Sequence, residues 1–127
     1  DHTPEGKELR DLKLLVIEDE QEQCRLLREY LTVDNHTVHI AHGGREGLRK
    51  FMNGWYDLVI TDRAMPELSG DLLAEEIKRA APDKPVIMLT GSADRMEAAG
   101  EKPDAVDLLL AKPVTLRILR RAIARVM

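Results

Sequence analysis

Three carboxylates, a hydroxyl and an ammonium stand directly after short apolar runs of this chain. Glu18 and Asp19 follow the run at 12–17, Asp62 follows 58–61, Thr90 follows 86–89 and Lys112 comes just after 106–110. If those runs are neighbouring parallel strands, all five side chains reach one sheet edge. Carboxylates crowded there repel, and the cluster persists only if a cation or a protonated group compensates it. Oxygen-only ligands with room for water and a phosphoryl group suit Mg2+ (or Mn2+) better than a softer metal. With Mg2+ and Lys112 neutralising the site, a carboxylate can attack an electrophilic phosphorus in line, while metal and ammonium hold the equatorial oxygens. The product is an acyl phosphate. Thr90 can donate a hydroxyl hydrogen bond to it, and Gly91 leaves space for it. Residue type and position leave open which carboxylate is the nucleophile.

The elements that would position these groups are legible as alternating periods. Five short runs rich in Val, Ile and Leu, at 12–17, Thr37–Ala41, 58–61, 86–89 and 106–110, alternate with helix-period segments. Residues 22–31 set Leu27 and Leu31 four apart, and 44–52 offers Leu48, Phe51 and Met52 as one face. Residues 70–81 set Leu73 and Ile77 four apart and stop before Pro82, which pushes its predecessor out of helical geometry. Thr115 can cap a last helix lined by Leu116, Leu119, Ile123 and Val126. Nearly continuous apolar strands joined by helical crossovers predict a parallel sheet covered on both faces, hence a doubly wound five-stranded α/β sandwich. Ligands of such sheets sit beyond the carboxyl ends of the strands, where strand order reverses. Gly100 and Pro103 interrupt the segment between the last two strands, so the fourth crossover helix is expected to be short or irregular, at most about two turns within 93–99.

Bulk properties bound the function. At 127 residues the chain is one ordinary domain, with 1–11 reading as a polar linker and 12–127 as the folded unit. A linker-like start without an initiator Met is what a domain carried in a longer polypeptide shows. A net charge of −4 argues against a dedicated nucleic-acid surface, and no apolar run is long enough to span a bilayer. Cys24 is the only cysteine, which excludes an internal disulfide and suits the reducing cytoplasm.

VIEDE at 16–20, DLVITDRAMPELSG at 57–70, VIMLTGS at 86–92 and LLLAKPV at 108–114 resemble, in order and spacing, the receiver domain of response regulators and hybrid histidine kinases. The likeness runs from about residue 12 to 127 and implies a flavodoxin-like fold. By this resemblance Asp62 is the phosphorylated aspartate, and Asp19, Asp62 and the backbone carbonyl of Arg63 bind Mg2+. Glu18 belongs to the acidic pocket and reaches the metal directly or through water. Thr90 is the switch hydroxyl, Lys112 pairs with the phosphoryl group, and the Lys112–Pro113 bond is cis. The implied partner is a histidine kinase or a histidine phosphotransfer domain, and the domain catalyses its own phosphorylation and dephosphorylation without being a stand-alone enzyme. The stretch 96–115 is most similar to receivers attached to hybrid sensor kinases. Two positions depart from the family pattern: Glu18 stands where Asp is commoner, and Leu109 where an aromatic switch residue is usual.

Other features read more plainly. His36, His39 and His42 recur every third residue about the second strand, a spacing that does not converge on a strand, and they read as surface histidines. Arg117, Arg120, Arg121 and Arg125 read as a solvated helix face, Trp55 and Tyr56 as packing residues, and Cys24 as semi-buried. The competing functions are a stand-alone regulator, a receiver-like interaction module that takes no phosphate, and a flavodoxin-like carrier or aspartate-nucleophile phosphatase. A flavin phosphate needs a Ser/Thr/Gly-rich loop after the first strand, where this chain has EDEQEQ. The phosphatase needs a second aspartate two residues after its nucleophile, and Asp19 is followed by Glu20 and Gln21.

Overall fold

Strands β1 (Lys13–Ile17), β2 (Thr37–Ala41), β3 (Leu58–Asp62), β4 (Val86–Thr90) and β5 (Leu108–Ala111) form one sheet in the order β2-β1-β3-β4-β5, with every pair parallel. This is a computed structural model, and it describes residues 9–91, 100 and 102–127. Four helices lie among those residues: α1 (Gln21–Thr32), α2 (Gly44–Asn53), α3 (Gly70–Ala80) and α4 (Leu116–Val126). The helix expected within 93–99 lies outside the described residues.

Side chains alternate across the sheet, so each strand feeds two cores. One face carries Leu14, Val16, Ile40, Leu58, Ile60, Ile87 and Leu89 against Cys24, Leu27 and Leu31 of α1 and Leu119, Ala122 and Ile123 of α4. Leu9 and Leu12 pack on that cluster from the start of the chain. The other face carries Leu15, Ile17, Val59, Val86, Met88 and Leu109 against Phe51 of α2 and Leu73, Ala74 and Ile77 of α3. Leu73 and Ile77 are fully buried, each worth about 1.5–3 kcal/mol of transfer free energy. Ser69 caps α3 by accepting the Leu72 N–H, and Thr115 caps α4 by accepting the Ile118 N–H.

Several sequence expectations shift. β3 and β4 run one residue further than their apolar runs and end on Asp62 and Thr90 themselves. β5 begins at Leu108 rather than at 106, because Val106, although fully buried, sits in a turn with its N–H on the Pro103 carbonyl. His36 is not a surface histidine: it is buried, and its Nδ1 accepts the Leu12 N–H at 3.1 Å. Trp55 is not a packing residue, being 63% exposed with the Lys84 ammonium 5.3 Å from its ring centroid. Tyr56 is buried as expected, and His39 points outward and meets its hydroxyl at 3.0 Å.

Candidate functional site

Strand order reverses between β1 and β3, since β2 continues to one side of β1 and β4 to the other side of β3. The carboxyl ends of those two central strands carry the acids. Asp62 closes β3, and Glu18 and Asp19 follow β1 in the turn before α1. One carboxylate oxygen from each of Glu18, Asp19 and Asp62 lies within 4.8 Å of the others. Glu18 and Asp62 are buried and Asp19 is exposed.

Lys112 reaches this cluster from beyond β5. Its Nζ lies 3.0 Å from Asp62 Oδ1 and 3.4 Å from Glu18 Oε1, and its backbone N–H donates to the Thr90 carbonyl at 3.1 Å. The Lys112–Pro113 peptide is cis. Thr90 is buried and stands level with Ala111 across the β4–β5 ladder. Leu109 packs inward among the α2/α3-side cluster.

The carboxylates are held by backbone donors as well. Asp62 Oδ1 accepts the Arg63 N–H at 2.8 Å, and Glu18 Oε2 accepts the Glu20 N–H at 3.1 Å. Among the described residues nothing hydrogen-bonds Asp62 Oδ2. The Arg63 carbonyl, the backbone ligand expected for a cation, accepts the Gly70 N–H at 2.8 Å with one of its two lone pairs. Arg63 Nε also reaches Asp71 Oδ1 at 3.1 Å. A β-carbon on Gly70 would lie 2.2 Å from the Asp62 carbonyl, and one on Gly44 would lie 2.2 Å from the Leu68 carbonyl. Both glycines are therefore needed to seat the loop that follows Asp62.

The electrostatics follow from this crowding. Burial pushes the Glu18 carboxyl above the usual glutamate range, and the charge of Asp62 adds to the effect, against partial relief from the Glu20 N–H and Lys112. For Lys112, burial acts to lower the pKa, but the hydrogen bond to Asp62 and the charges of Glu18 and Asp62 outweigh it and hold the ammonium above its usual range. Three acids thus face one lysine. The donor set is entirely hard oxygen with two near-buried members, which fits a hard divalent cation.

The sequence reading brought Glu18, Asp19, Asp62, Thr90 and Lys112 to one edge, and all five lie there. It missed the parts that hold them: the Glu20 and Arg63 amides, the two glycine contacts, and the thiol of Cys24, whose Sγ donates to the Glu18 carbonyl at 3.1 Å. Cys24 is buried rather than semi-buried, at 7% exposure. The basic face of α4 is solvated as expected, with Arg117, Arg120, Arg121 and Arg125 all exposed, and Arg120 in addition forks onto the carboxylate of Asp34 with both distances at 2.9 Å.

A doubly wound sheet of this order, with an acid pocket and a lysine at its switch point, defines a class of α/β signalling domain, and comparison with known proteins places the chain within it. The family model for the response regulator receiver domain matches residues 14–124, and the chain belongs to that family, the receivers of two-component signalling. The response regulator ArlR of Staphylococcus aureus is 30% identical over 107 residues, which are 84% of this chain and 48% of that protein. The chain thus spans about half the length of the curated relatives it matches. A receiver domain protein from Clostridium thermocellum is 37% identical with a TM-score of 0.80, covering 91% of this chain and 93% of its own. The response regulator protein TrrA from Thermotoga maritima, solved in complex with Mg2+ and BeF, is 31% identical with a TM-score of 0.82, covering 91% and 99%.

Proposed function

We propose that this domain accepts a phosphoryl group on Asp62 from the phosphohistidine of a histidine kinase or histidine phosphotransfer domain. The observation that carries the reading is the Lys112 ammonium 3.0 Å from Asp62 Oδ1, beside two further acids at the sheet's switch point. With Oδ1 held by Lys112 and the Arg63 amide, Oδ2 is the oxygen that bonds to phosphorus. The P–N bond to the donor imidazole breaks as the P–O bond forms, and the leaving imidazole takes its proton from solvent. Lys112 then pairs with the phosphoryl oxygens, and Thr90 supplies a hydroxyl to them.

Asp19 and Asp62 would hold Mg2+ directly, with Glu18 contributing through water. When bound, the cation supplies positive charge to the phosphoryl oxygens. Phosphorylation is a local charge event that biases the surface around Thr90 and the buried Leu109. The likeness of 96–115 to hybrid-kinase receivers supports a place on the cytoplasmic side within a hybrid sensor histidine kinase, soluble or membrane-associated, and a parent chain without a kinase module overturns that assignment. No helix among the described residues is long and apolar enough to cross a membrane.

Incubation with Mg2+ and acetyl phosphate is expected to add one phosphoryl mass that is lost on mild base treatment and absent from Asp62→Asn. Folded protein that takes no label at any donor concentration overturns the reading and favours an interaction module that needs no phosphate.

A further inference from the structure

Cys24 has no role in the chemistry above, yet its side chain is nearly buried beneath the acid pocket and makes a specific polar contact. α1 starts without a side-chain cap, since Glu20 at its N-cap makes no such hydrogen bond. Cys24 supplies the connection from within the helix. Its backbone N–H donates to the Glu20 carbonyl at 3.0 Å, and its Sγ donates to the Glu18 carbonyl at 3.1 Å. His42 Nδ1, at the end of β2, stands 3.8 Å from the same sulfur.

The two carbonyls lie on either side of Asp19. The peptide entering Asp19 is fixed by the thiol, and the peptide leaving it is fixed by the Glu20 N–H on the Glu18 carboxylate. Asp19 is the one exposed acid of the three, so its own side chain has no packing to aim it. Backbone contacts decide where it points.

We infer that Cys24 is a positioning residue for the acid pocket, its thiol fixing the Glu18–Asp19 peptide so that Asp19 is presented to the divalent cation. The inference rests on the metal-dependent reading proposed above. It assigns the thiol a directional hydrogen bond where a space-filling role needs only volume. A thiol is a weak donor, and partners outside the ligand shell typically contribute about 10- to 100-fold to metal affinity. The loss expected on removing it is therefore at the low end, roughly three- to tenfold in the Mg2+ dissociation constant.

The test uses the wild-type chain with Cys24→Ala and Cys24→Ser, each followed by Mg2+ titration calorimetry, thermal unfolding and infrared spectroscopy. Because Cys24 is the only cysteine, its S–H stretch is assigned without labelling and should lie below that of a free thiol in water-excluded solvent. Cys24→Ala should weaken Mg2+ binding by that factor, and Cys24→Ser, which keeps a donor, should recover most of it even where the two variants unfold at the same temperature. An unshifted S–H stretch, or alanine and serine variants with equal Mg2+ affinity, overturns the inference while leaving the reading of Asp62 intact. Wild-type protein that binds no Mg2+ sinks both.

Discussion

The two edges of the sheet are both rich in acids, and they use them in opposite ways. At the amino edge each acid has its own partner. Asp57 accepts the first strand amide of β1, from Lys13, at 2.8 Å. Asp107 accepts the first amide of β4, from Val86, at 2.8 Å and also pairs with the Lys78 ammonium at 2.7 Å. Asp34 is clasped by Arg120, and His36 takes the Leu12 amide. At the carboxyl edge Glu18, Asp19 and Asp62 converge on the single ammonium of Lys112. Partnered, carboxylates tie strand ends together; converging, they hold negative charge that a bound cation or a proton must offset.

The largest effect that tests this contrast is on the chemistry. Asp62→Asn should abolish phosphoryl labelling while leaving the unfolding midpoint unchanged or raised, because it removes one of the repelling charges. Asp107→Ala should do the reverse, keeping the label and lowering stability by about 1–2 kcal/mol in urea unfolding, since it strands the amide of fully buried Val86. A labelling defect in Asp107→Ala at full folding would erase the distinction between the edges.

Lys112→Ala is a subtler probe. It should still bind Mg2+ and take some label, but the phosphorylated variant should lack the chemical-shift changes of the phosphorylated wild type. If the two spectra agree, Lys112 has no part in passing the signal on.

The smallest effects are in the pH dependence, where the edges should differ in sign. Arg120 and its hydrogen bonds hold the Asp34 carboxyl below the usual range. Its contribution is therefore complete above the ordinary aspartate value and is lost as pH falls through the depressed one. Burial holds the His36 imidazole below its ordinary value, so the folded state is also weakened as pH falls from that value toward the lowered one. Glu18 is shifted upward, and in metal-free buffer its contribution should grow as pH falls through the raised value. Calorimetric unfolding of His36→Gln and Glu18→Gln across mild acid should flatten slopes of opposite sign, and slopes of the same sign would count against the contrast.

The sheet was legible because each strand is a short Val/Ile/Leu run bounded by polar residues, and the site was legible because its groups stand at the ends of those runs. What could not be read was anything that joins distant segments through a single contact. Arg120 and Asp34 are 86 positions apart, and His36 meets the amide of Leu12 across 24. His36 also precedes the first residue of β2, so strand alternation did not govern it. Val106 was misassigned because a buried turn and a buried strand have the same composition. Trp55 misled for the converse reason: a large aromatic beside a strand is ordinarily buried, and here it is exposed, with only the Lys84 ammonium over its ring.

That position gives the protein a built-in optical reporter. Trp55 is the only tryptophan and lies at the amino edge, just before β3, while the acids lie where β3 ends. Its emission should be blind to a cation binding among Glu18, Asp19 and Asp62 as such. A change in fluorescence when Asp62 is phosphorylated would therefore register motion carried along the length of β3, and a silent tryptophan would confine the response to the edge where the phosphoryl group sits.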